Sequence, residues 1–361
     1  MKRAGNFFKR IKTLFALLLV IVAVFCTVTR LPQVMGDGDS AALAAAAFTL
    51  TDGKYRVEAD TRTAPATEAS SAQKQPVANM LPSATPPRDK SSYYDSYGDH
   101  EGEAVYDITQ KTITGDGTLA DNCYIKNRTG LDIDFNASQR KPLTFKVSKN
   151  SSSPQVLIYH THTSEAYLDE TVDYYYESYY SRTQNEAFSV VAVGDVITQT
   201  LQNRGINTLH DKTVHDSTYD GAYDRSAQTV EADMKRCKDI KVVLDIHRDA
   251  LGSEDAKVKP VFEHDGKTAA QIMILSGCDP NNERGFTNWQ NNLSFAMKLQ
   301  HKAEELYPGM TRPVSFDYFA YNEYICDGSL LIEVGSDANS IDEAETTAAL
   351  LGEVLAQVLA E

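Results

Sequence analysis

Between Tyr159 and Tyr167 the chain places His160, His162 and Glu165 among the hydroxyls of Thr161, Thr163 and Ser164. Far downstream, His247 closes the run Val-Val-Leu-Asp-Ile-His at 242–247, and Glu333 follows Leu330-Leu331-Ile332. Imidazole and carboxylate are zinc-ligand chemistry. Catalytic zinc takes three protein ligands and leaves a fourth position for water. A neighbouring carboxylate can remove that water's proton while the metal polarises an amide carbonyl. His162-x-x-Glu165 is by itself a pattern that many surface turns contain. What singles it out is that every member of the set stands at the end of an apolar run.

Those runs imply the scaffold. Val156-Leu157-Ile158 is too short for a helix and reads as a buried strand. Strands buried on both faces present chemistry at their C-terminal ends. From Val156 onward strand and helix alternate. A helix over Glu186–Arg204 offers Phe188, Val191, Val196, Ile197 and Leu201 and stops at Gly205. A strand is expected over Ile206–Leu209, a helix near Ala227–Lys238 and a strand over 242–247. Another strand follows near Ala270–Leu275, then a helix over Trp289–Leu306 closed by Pro308-Gly309. The last helix is expected at Ile341–Leu359. This order predicts an α/β domain over 151–361, with a mostly parallel sheet and helices on both faces. Before it, Leu131, Ile133 and Phe135, and again Leu143, Phe145 and Val147, alternate with polar residues. They predict half-exposed strands, a short β platform over 111–150.

The N-terminus is different in kind. Lys2, Arg3, Lys9, Arg10 and Lys12 precede an uncharged stretch from Thr13 to Thr29. Its length approaches the ~20 apolar residues that span a bilayer. No small-x-small cleavage pattern follows closely, so the reading is an uncleaved single-pass signal anchor over 13–31. Residues 1–12 are then cytoplasmic and the rest of the chain outside. Residues 32–110, rich in Pro, Ala and Ser, cannot bury enough apolar surface to offset chain entropy and read as a disordered tether. The net charge of -15 argues against nucleic acid as a partner. Five scattered cysteines form no disulfide framework and read as free.

Four blocks carry a resemblance: YHTHTSEAY, HDKTVHD at 210–216, VVLDIHRDA at 242–250 and LLIEVGSDANS at 330–340. In this order they resemble the stage II sporulation protein P family, over about residues 120–361 and in the plan of anchor and tether. The resemblance implies a zinc-dependent hydrolase fold of the phosphorylase/hydrolase type, akin to the cell-wall amidases. It implies N-acetylmuramoyl-L-alanine amidase and endopeptidase activities on peptidoglycan. It also implies a membrane-anchored role in thinning septal wall during engulfment, in the space between mother cell and forespore, alongside stage II sporulation proteins D and M. Two features depart from the pattern: the tyrosine-rich tract Asp173–Tyr180, and Ser336-Asp337 where a Gly/Asn pair is expected.

In related wall amidases the first histidine ligand lies four positions after the strand's last apolar residue. Counted from Ile158, that selects His162 and leaves His160 to support a ligand or face substrate, with His160 as the alternative ligand. Glu165 is the second ligand, or else a solvated carboxylate at a helix start, and His247 is the third. Glu333 is assigned as general base; its alternative is a structural carboxylate buried against Arg248 or Arg182. Asp245, two positions before His247 on the same strand face, is placed to orient that ring. Arg182 and Arg248 are candidates to grip substrate carboxylates or the oxyanion, or are structural ion pairs. His210 and His215 read as loop residues bonded to neighbours. Trp289, Phe316, Tyr318, Phe319, Tyr321 and Tyr324 line a groove or anchor loops. A second class of function stays open, a wall-binding scaffold that has lost its own chemistry and recruits other hydrolases.

Overall fold

The computed structural model describes residues 100, 102–253 and 255–360, so the expected anchor at 13–31 and nearly all of the tether lie outside the described residues. Among the described residues no helix is long and apolar enough to cross a membrane. In chain order the elements begin with β1 (Val105–Lys111), β2 (Thr118–Ala120), β3 (Cys123–Asn127) and α1 (Phe135–Arg140). Next come β4 (Val156–Tyr159), β5 (Tyr174–Tyr176), α2 (Val190–Asn203), β6 (Thr208–His210), α3 (Ala222–Arg236) and β7 (Val242–Asp249). They are followed by β8 (Gly252–Ser253), β9 (Ala256–His264), β10 (Lys267–Ala270), β11 (Ile272–Gly277) and α4 (Trp289–Leu306). The chain ends with β12 (Val314–Asp317), β13 (Ser329–Ser336) and α5 (Ile341–Val358), and single 3-10 turns stand at Glu186–Phe188 and Glu323–Ile325.

The principal sheet has eight strands in the order β2-β3-β12-β11-β13-β7-β4-β6. The run β13-β7-β4-β6 is parallel, with Glu333 in register with His247 and Tyr159 with Asp245. The expected mostly parallel sheet is in fact mixed, because β11 runs antiparallel to β13 and β2 antiparallel to β3. The reversal has a simple cause. β11 enters directly from the β9–β10 hairpin, with Gln271 alone between β10 and β11, and not through a crossover helix. That hairpin belongs to a second sheet, β10-β9-β1-β5 with β8 beside β9, which sequence periodicity did not disclose.

Helices cover both faces of the principal sheet. One face, including Ile158, Leu244, Ile246, Ile274 and Ile332, is buried under α1, α2, α4 and α5. Each fully buried aliphatic side chain there contributes roughly 1.5–3 kcal/mol. The other face, with Leu157, Tyr159 and Val243, packs on Val230 and Met234 of α3. Helices α2 and α5 approach closely at Gly352, where a Cβ would meet the Thr200 side chain at 2.6 Å. The start of α5 is fixed by a capping box between Ser340 and Glu343.

The two strands expected near Leu131 and Leu143 are absent. Asp134 accepts a hydrogen bond from the Ala137 amide at 2.8 Å and starts a helix at Phe135. Residues 143–147 run beside the core without a strand partner, with Phe145 edge-on to Phe295 at 5.5 Å. Alternation supplied an apolar face in both segments, and a helical surface took the place of a neighbouring strand. The strands β2 and β3 in the expected platform region join the principal sheet through β12.

Candidate active site

Strands β4, β7 and β13 lie in one parallel run, and His162 and Glu165, which follow the end of β4, meet Asp245 and His247 within β7 and Glu333 within β13, strands that continue past the ends expected for them. After β4 the chain turns sharply, the Glu165 amide bonding to the His162 carbonyl at 3.1 Å. The turn is held by Thr161, whose amide and hydroxyl donate to Asp245 at 2.8 and 2.6 Å. Ser164 donates to Asp216 at 2.5 Å.

This turn sends the two histidines to opposite sides of the sheet. His160 is fully buried near α2, where its Nδ1 donates to the Ile246 carbonyl at 2.8 Å. Because that carbonyl can only accept, His160 Nε2 is left to accept from His210 Nε2 at 2.9 Å. His210 Nδ1 in turn lies 3.0 Å from Asp195. Burial, then the neighbouring His210, lowers the His160 pKa to about 3. His162 faces the other way. Its ring stacks on Tyr219 at 4.8 Å and stands edge-on to His247 at 5.5 Å and to Tyr223 at 5.7 Å. Its Nδ1 is buried with no hydrogen-bond partner, and burial brings its pKa down to about 4.

His247 is held between two carboxylates, Glu165 Oε2 at 3.3 Å from Nδ1 and Asp245 Oδ1 at 2.9 Å from Nε2. The Asp245 oxygen lies off the line of the ring N–H, so the second contact is an ion contact without a hydrogen bond. Burial works against the charged ring, but Asp245 and Glu165 outweigh it and hold its pKa well above the usual value. For Glu165, burial raises the carboxyl and the charges of His247 and Arg248 overcome it, leaving it well below the usual range. Glu333, in register with His247, is pushed up to about 8 by burial first and Asp249 next, and its Oε2 is buried without a hydrogen-bond partner.

Both arginines put forward from the sequence already have partners. Arg248 is buried and donates to the carbonyls of Ala166 at 3.2 Å and Ser181 at 2.6 Å. Arg182 donates to Asp216 at 2.9 Å and to Ser164 at 3.2 Å, with Glu165 at 4.0 Å. His215 is buried and lies 2.8 Å from the His160 carbonyl and 2.9 Å from the Thr229 hydroxyl. Trp289 and Phe316 belong to the core, while Tyr318 and Tyr324 are exposed. All four described cysteines are free; Cys26 lies outside the described residues.

The arrangement thus gathers His162, Glu165, His247, Asp245 and Glu333 on one side of the sheet and removes His160 to the other. A family model, stage II sporulation protein P, matches residues 57–356. The chain belongs to the stage II sporulation protein P family. A curated family member, stage II sporulation protein P of Bacillus subtilis (strain 168), is 28% identical over 217 residues, 56% of this chain and 50% of that relative. The chain therefore spans about half the length of that relative. Among solved structures, the apo form of an N-acetylmuramyl-L-alanine amidase from Mycobacterium abscessus is 12% identical with a TM-score of 0.33, covering 57% of this chain and 97% of its own. The CwlD amidase of Clostridioides difficile, solved with the GerS lipoprotein, is 9% identical with a TM-score of 0.32, covering 57% of this chain and 96% of its own.

For zinc, the donors suit the metal in kind, since two imidazoles and a carboxylate lie together and a buried imidazole nitrogen and a buried carboxylate oxygen have no partner. As they stand, among the described residues no group of three or more His, Cys, Asp and Glu side chains is arranged to hold a metal ion. Glu165 and His247 contact each other instead.

Sequence reasoning passed over three residues that stand beside this cluster. Asp249 follows His247 by two positions on the same strand, a spacing that could have flagged it. Arg312, 2.8 Å from Asp249, precedes β12 and carried no such signal. Tyr223 comes from the first turn of α3 and lies parallel to the His247 ring at 6.5 Å. Burial, then Asp245, raises its phenol pKa well above the usual value.

Proposed function

We propose that this member of the stage II sporulation protein P family is a zinc-dependent peptidoglycan hydrolase, an N-acetylmuramoyl-L-alanine amidase that also cleaves cross-linked stem peptides. The observation that carries the reading is the convergence of His162, Glu165, His247 and Glu333 from three adjacent parallel strands, the first two following the end of β4 and the others within β7 and β13. Family membership supports it. Residues 13–31 anchor the chain in the cell membrane as a single pass, with the catalytic domain in the septal space and stage II sporulation proteins D and M as partners.

Zinc held by His162, Glu165 and His247 would polarise the amide carbonyl and acidify a water molecule. Glu333 Oε2, unpartnered and beside His247, takes a proton from the attacking water and returns it to the leaving nitrogen. Asp245, anchored by Thr161, fixes the His247 ring from behind. The bond broken is the lactyl amide between N-acetylmuramic acid and L-alanine.

The test is dye release from labelled wall by the purified chain and by its His247→Ala variant. Release by the parent and loss in the variant is the expected result; undiminished turnover in the variant sinks the mechanism. Mass spectrometry of the products separates the two activities, since amidase action frees sugar chains of peptide and endopeptidase action leaves uncross-linked stems. Wall binding without turnover or zinc would favour the scaffold reading.

A further inference from the structure

Hydrolysing an amide places negative charge on its carbonyl oxygen, and sites for this reaction hold a fixed hydrogen-bond donor there. Around His162 and His247 the side chains are mainly acceptors: Glu165, Asp245 and Glu333. The guanidinium of Arg248 already serves the carbonyls of Ala166 and Ser181, and that of Arg182 serves Asp216 and Ser164. A hydroxyl from another element would add a neutral donor beside these charged groups.

Tyr223 is in position. Its ring stands edge-on to His162 at 5.7 Å and parallel to His247 at 6.5 Å, so it borders both imidazoles at once. Tyr321 packs against its outer side at 5.3 Å. Its backbone is fixed as well. Asn322, in the left-handed region at φ 61°, donates to the Tyr223 carbonyl at 3.1 Å and to the Ser226 hydroxyl at 3.0 Å. Arg225 pins the preceding loop through the carbonyls of His215 at 2.7 Å, Asp220 at 3.0 Å and Thr218. A non-glycine residue in that backbone region is sparsely populated and clusters at functional sites. Here the strained residue immobilises the segment that carries the phenol.

We infer that Tyr223 is a further catalytic residue, its hydroxyl donating a hydrogen bond to the carbonyl oxygen of the scissile amide. This rests on the hydrolase reading given above. In the step, the water oxygen bonds to the carbonyl carbon and the C–N bond breaks. The water's proton travels through Glu333 to the leaving nitrogen, and Tyr223 keeps its own proton throughout. The contribution is electrostatic and needs the hydroxyl alone, while the packing role needs only the ring.

Tyr223→Phe separates the two roles. The probes are a soluble glycan fragment bearing stem peptides, for kcat and KM, and the zinc content and melting temperature of the same preparations. Expected is a fall in kcat of about 10²–10³-fold, the usual effect of removing one such donor. KM, zinc content and melting temperature should stay near those of the parent. A variant with parental kcat overturns the role of Tyr223 and leaves the hydrolase reading standing. A fall in zinc content or loss of the fold makes the hydroxyl structural, which also overturns it. A parent chain that loads zinc but cleaves no wall polymer overturns both.

Discussion

The Glu165 carboxylate accepts the backbone amide of Arg248 at 3.1 Å, tying the turn after β4 to the end of β7. The same oxygen lies 3.3 Å from His247. Glutamine at this position keeps an acceptor for the amide but removes the charge facing the imidazole. Glu165→Gln should therefore lower the melting temperature by several degrees, because His247 and Arg248 lose a buried counter-charge, and weaken zinc binding by at least about tenfold. Metal titration of the variant checks this; unchanged affinity would exclude Glu165 from the zinc site.

His160 and His162 can be told apart by what each mutation removes. His162→Ala deletes a side chain whose Nδ1 has no partner in the fold, so zinc and activity should go, and the stability lost is that of its ring packing on Tyr219, Tyr223 and His247. His160→Ala strands the Ile246 carbonyl and His210, costing roughly 1–3 kcal/mol, with zinc retained. Urea melts and metal analysis of both proteins give the comparison. Retention of zinc by the His162 variant would reverse the assignment.

Gly194 leaves room for the contact between those rings. A Cβ there would lie 2.5 Å from His210 Nε2 and 2.9 Å from His160 Nε2. Gly194→Ala should destabilise the domain by about 1–3 kcal/mol despite the better helix propensity of alanine, because overpacking in α2 outweighs it. A variant as stable as the parent in denaturant would show that the rings yield freely.

Glu323 predicts a pH dependence. It is fully buried, accepts the Gly277 amide at 3.0 Å through one oxygen, and has no partner for the other. Burial raises its pKa well above the ordinary 4.5. Between the unfolded value and the raised folded one, the native state holds a proton that the unfolded chain has released. Its contribution to stability therefore declines as pH rises from about 4.3 through the folded value. Glu323→Gln should stabilise the protein at neutral pH and flatten that decline. Denaturant melts from pH 5 to 8 measure it, and parallel curves for parent and variant would count against the buried-acid account.

The parts of this structure that were legible in the sequence are those where burial on both faces writes itself as an uninterrupted apolar run. Val156–Ile158, Val242–Leu244 and Leu330–Ile332 are such runs, and α4 spans Trp289–Leu306 as its periodicity implies. The runs led to His247 and Glu333 as neighbours, and the two are in register, although both strands continue beyond them to Asp249 and Ser336. The second sheet was hidden. Its β9 carries Lys257, Lys259 and Pro260, residues that argue against a strand, yet Lys259 is buried because Glu343 and the Val172 carbonyl receive its ammonium. The tyrosine-rich departure at 173–180 becomes intelligible only through that sheet, where Tyr175, in β5 beside β1, is buried with Ile108, Leu168 and Ala338, and Tyr179 donates to the Asp337 carbonyl. Tyr223 was invisible for another reason, since its ring reaches the site from a helix whose orientation local spacing does not encode.

The pairing of β1 with β9 joins Asp107 to Ala256, and that of β3 with β12 joins Ile125 to Val314. Early strands thus wait for partners 149 and 189 residues further along the chain. Lengthening a loop adds only about 0.6 kcal/mol per doubling, but pairings between distant segments form slowly. Assembly must therefore come late and as a unit, and a chain cut short before β12 would leave β3 with one of its lateral edges bare.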